Sequence, residues 1–269
     1  MKVTVLIENT SNSENLYAEH GLSILVKTDK HNVLVDTGAS GNFALNAEKL
    51  GIDLKAVDTL ILSHGHYDHC GGVCTFGEIN STASIYINQN AFGNFRNTDG
   101  KYIGIDEKIK NLSNLVLTSG DLIIDEQTGV FSDVHGKKFF PTDNARLLHI
   151  ENGKPVCDNF NHEQYTVITE NGKAILLAGC AHRGIVNIME SFYEKYGKAP
   201  DAVFSGFHLM KKSEYNQDDI ELIESTAKAL SEYNTVFYTG HCTGEAINCL
   251  ESIMGNNLVR IYSGMIVNL

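Results

Sequence analysis

Three histidines and one aspartate occupy six consecutive positions in the stretch SHGHYDHCGG, which runs from Ser63 to Gly72. The stretch follows an apolar run, VDTLIL, and ends in two glycines. Neutral imidazole nitrogen is a preferred protein ligand for zinc and similar ions, and carboxylate oxygen also suits them. We therefore expect this loop to follow a buried strand and to lie close to further metal ligands from other parts of the chain. The alternative interpretation is a polar loop whose histidines are only hydrogen-bonded.

Short apolar and β-branched runs recur along the chain, among them VTVLI, NVLVD, YTVIT, AILLA and TVFYT. Segments with helical spacing separate several of these runs, and the clearest are FALNAEKLG, GIVNIMESFYEKYG, DDIELIESTAKALSEY and GEAINCLESIMG. Three of the four segments close on a glycine, as a helix C-terminal cap does. The pattern predicts a layered α/β or α+β sandwich, helices outside and sheets inside, in one domain over residues 1–269.

The composition argues against several classes of protein. The formal net charge is −12, and a field of that sign repels phosphate backbones, so we expect no nucleic-acid partner. No apolar stretch approaches the roughly 20 residues that cross a bilayer. The N-terminal MKVTVLIENTS becomes polar too soon for a secretory signal. These features predict a cytoplasmic protein that acts on a small molecule, without a membrane partner, and they leave a homo-oligomer open.

Local spacing suggests how the histidine loop divides its ligands. His64 and His66 alternate as they would on extended backbone, so both can point to one side. Asp68 and His69 follow where the chain must turn, and they could serve a second ion close by. The two glycines that end the stretch would allow the tight backbone that such a turn requires.

HGHYDH resembles the HxHxDH signature of the metallo-β-lactamase-fold hydrolases. The segments ENTS, AEHGLS, DNFNHEQ, AGCAHRGIVNI, SGFHL and GHCTG are similar to a subgroup labelled dihydropterin-ribofuranosylaminobenzene-phosphate synthase-like. The resemblance implies a four-layer αββα sandwich that holds two divalent metal ions, with zinc expected before manganese or iron. Asp36, in LVDTG, resembles the aspartate that orients the histidine loop in this family.

A second part of the chain must complete such a site. YTVIT and AILLA read as antiparallel strands around the turn ENGK, which places His162 almost opposite Cys180 to His182. By resemblance His162 joins His64 and His66 at the first metal, with His182 as the competing ligand. Cys180 stands where most family members carry a bridging aspartate. It is either a thiolate ligand or a small packing residue.

His241 directly follows the apolar run TVFYTG, as His64 follows its own run. Ligands at the exits of several strands converge readily in sheet-based sites. By resemblance His241 completes the second metal position with Asp68 and His69. The competing interpretation is an isolated loop histidine.

Four further residues are candidates for contact with a substrate. His182 and His208 lie at strand exits, where they could bind substrate, supply a proton or support a metal ligand. Arg183 begins a helix and could meet an anionic group there. His20 lies in the long polar loop 8–21, a kind of segment that often covers a site.

The resemblance implies a metal-dependent hydrolase, or a related transferase, for a small anionic substrate that is pterin- or phosphate-bearing. In such an enzyme two ions convert a shared water to hydroxide near neutral pH, and Asp68 can both ligate and take a proton. One alternative is iron-dependent oxygen or sulfur chemistry, although His66 stands where flavodiiron-type members carry glutamate. The other is a non-catalytic metal or ligand binder with a filled coordination shell.

Overall fold

Seventeen strands and six α-helices build the computed structural model, which describes residues 1–269. The strands are β1 (Lys2–Ile7), β2 (Ser23–Lys27), β3 (Asn32–Val35), β4 (Thr59–Ile61), β5 (Ser84–Asn88), β6 (Phe95–Asn97), β7 (Leu115–Thr118), β8 (Leu122–Ile123), β9 (Thr128–Phe131), β10 (Leu147–Glu151), β11 (Lys154–Cys157), β12 (Tyr165–Glu170), β13 (Lys173–Leu177), β14 (Ala202–Ser205), β15 (Val236–Thr239), β16 (Leu258–Arg260) and β17 (Ile266–Asn268). The helices are α1 (Asn42–Lys49), α2 (Tyr67–Cys70), α3 (Val73–Ile79), α4 (Ile185–Tyr196), α5 (Gln217–Ser231) and α6 (Ala246–Met254).

The strands form two large sheets and one small one. The first seven-stranded sheet has the order β17-β1-β2-β3-β4-β5-β7, and the second has the order β16-β15-β14-β13-β12-β9-β8. A three-stranded sheet, β11-β10-β6, stands apart from both. One apolar core lies between the two large sheets. Each large sheet has one further apolar core, which lies between that sheet and its own helices. This arrangement confirms the predicted four-layer αββα sandwich, while the count of one domain stays a prediction.

The period-two pattern of the strands explains why there are three cores. In β13, Ile175 and Leu177 enter the core between the sheets, whereas Ala174 and Leu176 enter the core beneath the helices. Successive side chains of a strand point to opposite faces of the sheet, so a strand that is apolar at every position needs a cover on both faces. The continuous apolar runs in the sequence therefore require helices on the outside of each sheet.

The four segments with helical spacing form α1, α4, α5 and α6. The C-terminal cap of α4, Gly197, has φ of 69°, the left-handed conformation expected of a capping glycine. None of the helices combines the length and the apolar character that crossing a bilayer requires.

The predicted hairpin is also present, because β12 pairs antiparallel with β13. Its turn residues, Asn171 and Gly172, have φ of 52° and 80°, the left-handed pair typical of a tight two-residue hairpin. The register pairs Thr166 with Leu177. Continuing that register outward brings His162 beside the segment 180–182, as the sequence predicts.

Strand direction then decides where the functional side chains gather. β3, β4 and β5 run parallel in the first sheet, as do β13, β14 and β15 in the second. In parallel sheets the loops after the carboxyl ends of the strands meet at one edge. The backbone just past these ends is strained, with positive φ at Asp36 (60°), Ala181 (53°), His208 (50°) and His241 (48°). Such conformations are uncommon for residues other than glycine and often mark functional sites.

The core between the sheets gives a direct test of this architecture. Ile175 is 0% exposed, whereas Ile123, in a strand of the same sheet, is 85% exposed. We expect Ile175→Ala to lower the free energy of unfolding by about 2–5 kcal/mol, because it leaves a cavity between the sheets. Ile123→Ala should change it by less than about 0.5 kcal/mol. Urea denaturation measures both, and equal losses would contradict the buried position of β13.

Candidate metal centre

Ligand-type side chains from both large sheets meet at the edge where the parallel strands end. Four groups of side chains each bring their potential ligand atoms within 4.8 Å of one another. Two of them, formed by Cys180, His182 and His208 and by His66, Asp158 and His162, overlap with the remaining two, which share no residue with each other. Of these remaining two, the first group is His64, His66 and His182, and the second is Asp68, His69, Cys180 and His241. The structure therefore brings together the histidine loop after β4 and the residues that follow β13 and β15.

Asp36 orients two of these histidines. Its carboxylate accepts hydrogen bonds from the Ser63 N–H (2.7 Å) and the Ser63 hydroxyl (2.7 Å), and it lies 2.6 Å from His69 Nδ1. Because the Ser63 hydroxyl donates to Asp36, it can accept a hydrogen bond from His64 Nδ1, which lies 2.9 Å away. These partners assign the Nδ1 proton to both rings and leave each Nε2 facing the cluster.

Two asparagines orient two further histidines, His182 and His241, in the same way. The Asn144 side-chain amide donates to the backbone carbonyl of His182 (2.7 Å), so its oxygen is free to accept from His182 Nδ1 (3.1 Å). The Asn9 amide donates to the backbone carbonyl of His241 (3.3 Å), and its oxygen accepts from His241 Nδ1 (2.9 Å). Both rings therefore also carry the proton on Nδ1.

The consequence is a set of Nε2 atoms that face one another. His64 Nε2 lies 3.3 Å from His182 Nε2, and His69 Nε2 lies 3.2 Å from His241 Nε2 and 3.0 Å from Cys180 Sγ. With both Nδ1 atoms protonated, the neutral rings of His64 and His182 present lone pair to lone pair. A cation placed between them satisfies both nitrogens. The residues present therefore fit bound metal ions, and a set of imidazoles with one thiol suits zinc in particular.

The electrostatics of the cluster favour neutral imidazoles at three positions. Burial lowers the pKa of His64 and His182 well below the usual range and lowers the pKa of His66 to about 3. Neutral imidazole is the form that binds a metal ion. His69 differs, because Asp36 raises its pKa in spite of burial.

His66 Nε2 is buried and has no hydrogen-bond partner. The ring lies against those of His64 and His182, at centroid distances of 4.7 and 4.9 Å. An unpaired buried polar group costs about 1–3 kcal/mol, so its presence calls for an explanation. Coordination of a metal ion together with its two neighbours would satisfy this nitrogen.

His162 has the opposite arrangement. The Gly65 N–H donates to its Nδ1 (3.1 Å), and its Nε2 lies 3.1 Å from the Asp158 carboxylate. Because a carboxylate only accepts, Nε2 carries the proton and Nδ1 is already occupied. With these partners His162 has no free lone pair, whereas the competing candidate, His182, lies beside His64. One ligand atom of His162 nevertheless lies within 4.8 Å of those of His66 and Asp158. The assignment of His162 as a ligand stays a prediction that this geometry does not favour.

Arg183 does not reach the cluster. Its guanidinium donates to the backbone carbonyls of Val134 (2.7 Å) and Asn159 (2.8 Å), in a separate cavity of about 210 Å³. The peptide N–H groups of His182 and Arg183 donate to the buried carboxylate of Glu163. The start of α4 therefore already holds an anion from the chain itself, so the expected role of Arg183 in binding an anionic substrate does not match its position.

His20 and His208 line the cavity of about 520 Å³ that opens above the cluster. His20 Nε2 lies 3.4 Å from the Asp68 carboxylate, and its ring stacks on His241 at 4.8 Å. Neither ring nitrogen of His208 has a hydrogen-bond partner, and its ring lies 4.1 Å from that of His182. The structure thus places both residues where the sequence analysis expects contact with a substrate.

Asp68 and Cys180 supply the anionic ligands of the second group. Burial alone would raise the pKa of Asp68, but hydrogen bonds with His20 and His241 outweigh it and hold that pKa well below the usual range. Burial raises the pKa of the Cys180 thiol, and the neighbouring Cys242 adds to this effect. Cys180 therefore becomes a thiolate only if a cation replaces its proton.

The sequence matches the metallo-beta-lactamase superfamily over residues 16–148. It is 31% identical over 292 positions to the 7,8-dihydropterin-6-methyl-4-(beta-D-ribofuranosyl)-aminobenzene-5'-phosphate synthase of Methanocaldococcus jannaschii, with 99% of this chain and 96% of the relative covered. The chain belongs to the metallo-β-lactamase superfamily. An uncharacterized protein of the same organism is 28% identical and is aligned over 99% of this chain and 100% of the relative. Proteins of this fold bind metal ions, typically zinc.

A solved structure of the superfamily is similar along its whole length. The crystal structure of Tm1679, a metal-dependent hydrolase of the beta-lactamase superfamily, has a TM-score of 0.85 and 28% sequence identity to this chain. The similarity covers 100% of this chain and 99% of that protein.

Gly71 and Gly72, which follow the superfamily motif closely, are needed because there is no room for a side chain, not because of their backbone angles. Gly71 and Gly72 have φ of −64° and −88°, which any residue adopts. A Cβ on Gly71 would lie 2.1 Å from the Ala39 carbonyl oxygen, and one on Gly72 would lie 2.6 Å from that of Thr37. The loop that follows β3 therefore packs directly on this part of the histidine loop, and no side chain fits between them.

Sequence reasoning did not identify four residues of this centre, Asn9, Ser63, Asn144 and Cys242. Asn9 and Ser63 lie in stretches that carry the superfamily resemblance, so their positions were available as a signal. Asn144 lies in a loop without a recognisable motif and is identified only by its contact with His182. Cys242 follows His241 and lines the same cavity as Cys180.

The role of Asp36 in this superfamily site gives a second test. Asp36→Asn keeps the shape of the side chain and tolerates positive φ, but it removes the charge that holds the protons of Ser63 and His69. We expect metal affinity to fall about 10- to 100-fold, measured by competition with a chromophoric chelator. Asp53→Asn, at an exposed position that caps a short 3-10 helix, is the matched control and should leave it unchanged. Equal affinities in both variants would contradict the orienting role.

Proposed function

We propose that this protein is a metal-dependent hydrolase, or a related transferase, which holds two divalent metal ions and acts on a small molecule. The observation that carries the proposal is the convergence of two pairs of buried Nε2 atoms, at 3.3 and 3.2 Å, beneath one open cavity. The similarity to a metal-dependent hydrolase supports the hydrolytic reaction. The similarity to a synthase supports keeping the transferase within the proposal.

The two groups of side chains would each hold one ion. His64, His66 and His182 would hold the first, and Asp68, His69, Cys180 and His241 would hold the second. A thiolate among the ligands favours zinc over harder ions and over the iron-dependent alternative. When bound, such ions act as Lewis acids and lower the pKa of a water molecule towards neutrality.

Other side chains beside the cavity could carry out the proton transfers of the reaction. Asp68 is ionised, and its hydrogen bonds with His20 and His241 fix its orientation, so it can accept a proton at a carboxylate oxygen. His208 has two ring nitrogens without partners beside the cavity, so it can donate a hydrogen bond or a proton to a leaving group. Neutral His182 lies between His208 and the first metal position.

The cavity supports a small-molecule substrate. Its volume of about 520 Å³ lies within the range of pockets that bind small ligands. Its lining combines the metal-ligand side chains with charged and polar groups near the opening, including Asn97 and Arg146. The net charge of −12 argues against a nucleic-acid substrate, as the sequence analysis expects.

The choice between His182 and His162 can be tested by a matched pair of alanine variants. We expect His182→Ala, like His66→Ala, to lose one metal ion per chain and at least about 100-fold in turnover of an ester, lactone or phosphodiester substrate. His162→Ala should keep both ions, because its nitrogens are used by Gly65 and Asp158. Metal content is measured by mass spectrometry on folded protein, with circular dichroism as the folding check.

The opposite result in these two variants would make His162, rather than His182, a ligand of the first metal. If His162→Ala loses the ion while His182→Ala keeps both, the ligand set proposed here is wrong. If folded His66→Ala and His182→Ala both keep full metal content and turnover, the binuclear centre itself is wrong. Two irons with a visible absorption band in the purified protein would favour the redox alternative.

The role of Cys180 is open to a spectroscopic test. A thiolate bound to Co²⁺ gives a charge-transfer band in the near ultraviolet, which imidazole and carboxylate ligands do not give. We expect the cobalt-loaded protein to show this band, Cys180→Ser to lose it, and Cys242→Ser to retain it. Loss of the band in Cys242→Ser alone would make Cys242 the ligand, and no band in the wild-type protein would make Cys180 a packing residue.

A further inference from the structure

Three cationic side chains stand at the mouth of the cavity, although the chain carries a net charge of −12. Lys101 belongs to the turn after β6, Arg146 ends the 3-10 helix Thr142–Arg146, and Lys212 lies in the loop after β14. All three line the same cavity as four of the proposed metal ligands, His66, Asp68, Cys180 and His182. Three cations gathered in one cavity of an acidic protein indicate a place where an anion could bind.

One carboxylate of the chain already lies between two of these cations. Asp99 Oδ2 is 3.7 Å from Arg146 Nη2 and 3.5 Å from Lys212 Nζ. Asp99 is 62% exposed at its side chain, and exposed ion pairs of this kind contribute little to stability. These contacts therefore show a position between Arg146 and Lys212 where an oxyanion fits. Another oxyanion could displace the Asp99 carboxylate from it.

The backbone fixes the turn that carries Asp99. The Asn97 N–H donates to the Lys101 carbonyl (3.0 Å), and the Lys101 N–H donates to the Asn97 side-chain oxygen (2.9 Å). Gly100, with φ of 80°, allows the tight reversal between them. The Thr98 N–H donates to the Arg146 carbonyl (2.9 Å), which ties the turn to the element that supplies the guanidinium.

Lys101 is the cation that Asp99 leaves unpaired. No carboxylate lies within ion-pair distance of Lys101, whose Nζ lies 5.2 Å from the centre of the Tyr67 ring. Because Tyr67 belongs to the motif HGHYDH, this ammonium group lies next to the metal-binding loop. Asp68 and Asp143 also line the cavity, so three cations are matched by three carboxylates, and the cations exceed the carboxylates by one charge once Asp99 is displaced.

We infer that Lys101, Arg146 and Lys212 form an oxyanion subsite, which Asp99 occupies in the absence of substrate. The substrate class is then a small molecule with a terminal phosphate or carboxylate at one end and the reacting bond at the other. A guanidinium pairs with two oxygens of either group, and the ammonium groups add charge. The inference rests on the proposed function only in that it takes the metal cluster as the reacting end.

Calorimetric titration with phenyl phosphate, benzoate and neutral benzyl alcohol tests the subsite in the metal-loaded protein and after chelation. We expect phenyl phosphate and benzoate to bind in both forms, and benzyl alcohol in neither. Asp99→Asn should tighten binding of the anions about two- to five-fold, because it removes the competing carboxylate. Arg146→Gln combined with Lys212→Gln should weaken it about ten-fold or more. The matched control, exposed Lys173→Gln in β13, should bind as the wild type does.

Two outcomes would overturn the subsite. One is an Asp99→Asn variant with unchanged affinity for both anions, and the other is anion binding that chelation abolishes while the protein remains folded, which would place the anion on the metal ions. Tighter binding of phenyl phosphate than of benzoate would assign a phosphate, and the reverse a carboxylate. Anion binding that survives chelation, in a protein that holds no metal as purified, would support the subsite while removing the proposed function.

Discussion

The candidate metal centre depends on the hydrogen bonds made by the Nδ1 atoms of four histidines, His64, His69, His182 and His241. Ser63, Asp36, Asn144 and Asn9 each hold one Nδ1 proton, and this fixes both the rotation of the ring and the nitrogen that keeps a lone pair. If an imidazole turned over, a buried acceptor would lose its partner, at a cost of about 1–3 kcal/mol. The inward direction of the Nε2 atoms is therefore set by neighbours that touch no metal themselves, and their loss should weaken binding without removing a ligand.

The same arrangement has a cost that the sheets must offset. Asp36, His208 and His241 hold positive φ angles, and unpaired nitrogens of His66 and His208 are buried. Each such feature costs on the order of 1–3 kcal/mol in the protein without ligands. The burial of apolar side chains in the paired sheets can offset this free-energy cost, because the strands are apolar on both faces and helices cover both outer sides. Binding of metal ions and substrate would then relieve the unpaired nitrogens.

The sequence predicts the layers, the hairpin register and the edge of the sheets at which the ligands meet. These follow from local patterns, such as apolar runs that end in His64 or His241 and a turn that aligns His162 with the segment 180–182. The choice between His162 and His182 does not follow from such patterns, because both lie at the same rim. The contact that weighs against His162 is with the Gly65 N–H, which is distant in sequence from His162 and occupies its Nδ1. The position of Arg183 is likewise decided by a long-range contact, the carbonyl of Val134.

The proposed metal cluster and most of the proposed oxyanion subsite, apart from Lys212 after β14, lie on different parts of this fold. The metal cluster stands on loops at the ends of strands in the two large sheets, where packing on both faces restricts movement. Asp99, Lys101 and Arg146 stand on the turn after β6 and on the segment before β10, two strands of the small separate sheet. Arg146 shares the 3-10 helix Thr142–Arg146 with Asn144, the Nδ1 partner of His182. Asp99 and Lys101 lie on the separate turn after β6, so substitutions there change charge without altering an element that carries an Nδ1 partner. A fold arranged in this way can keep one metal chemistry while its substrate changes, so the residues at the mouth of the cavity, rather than the motif HGHYDH, should distinguish this chain from relatives that act on other molecules.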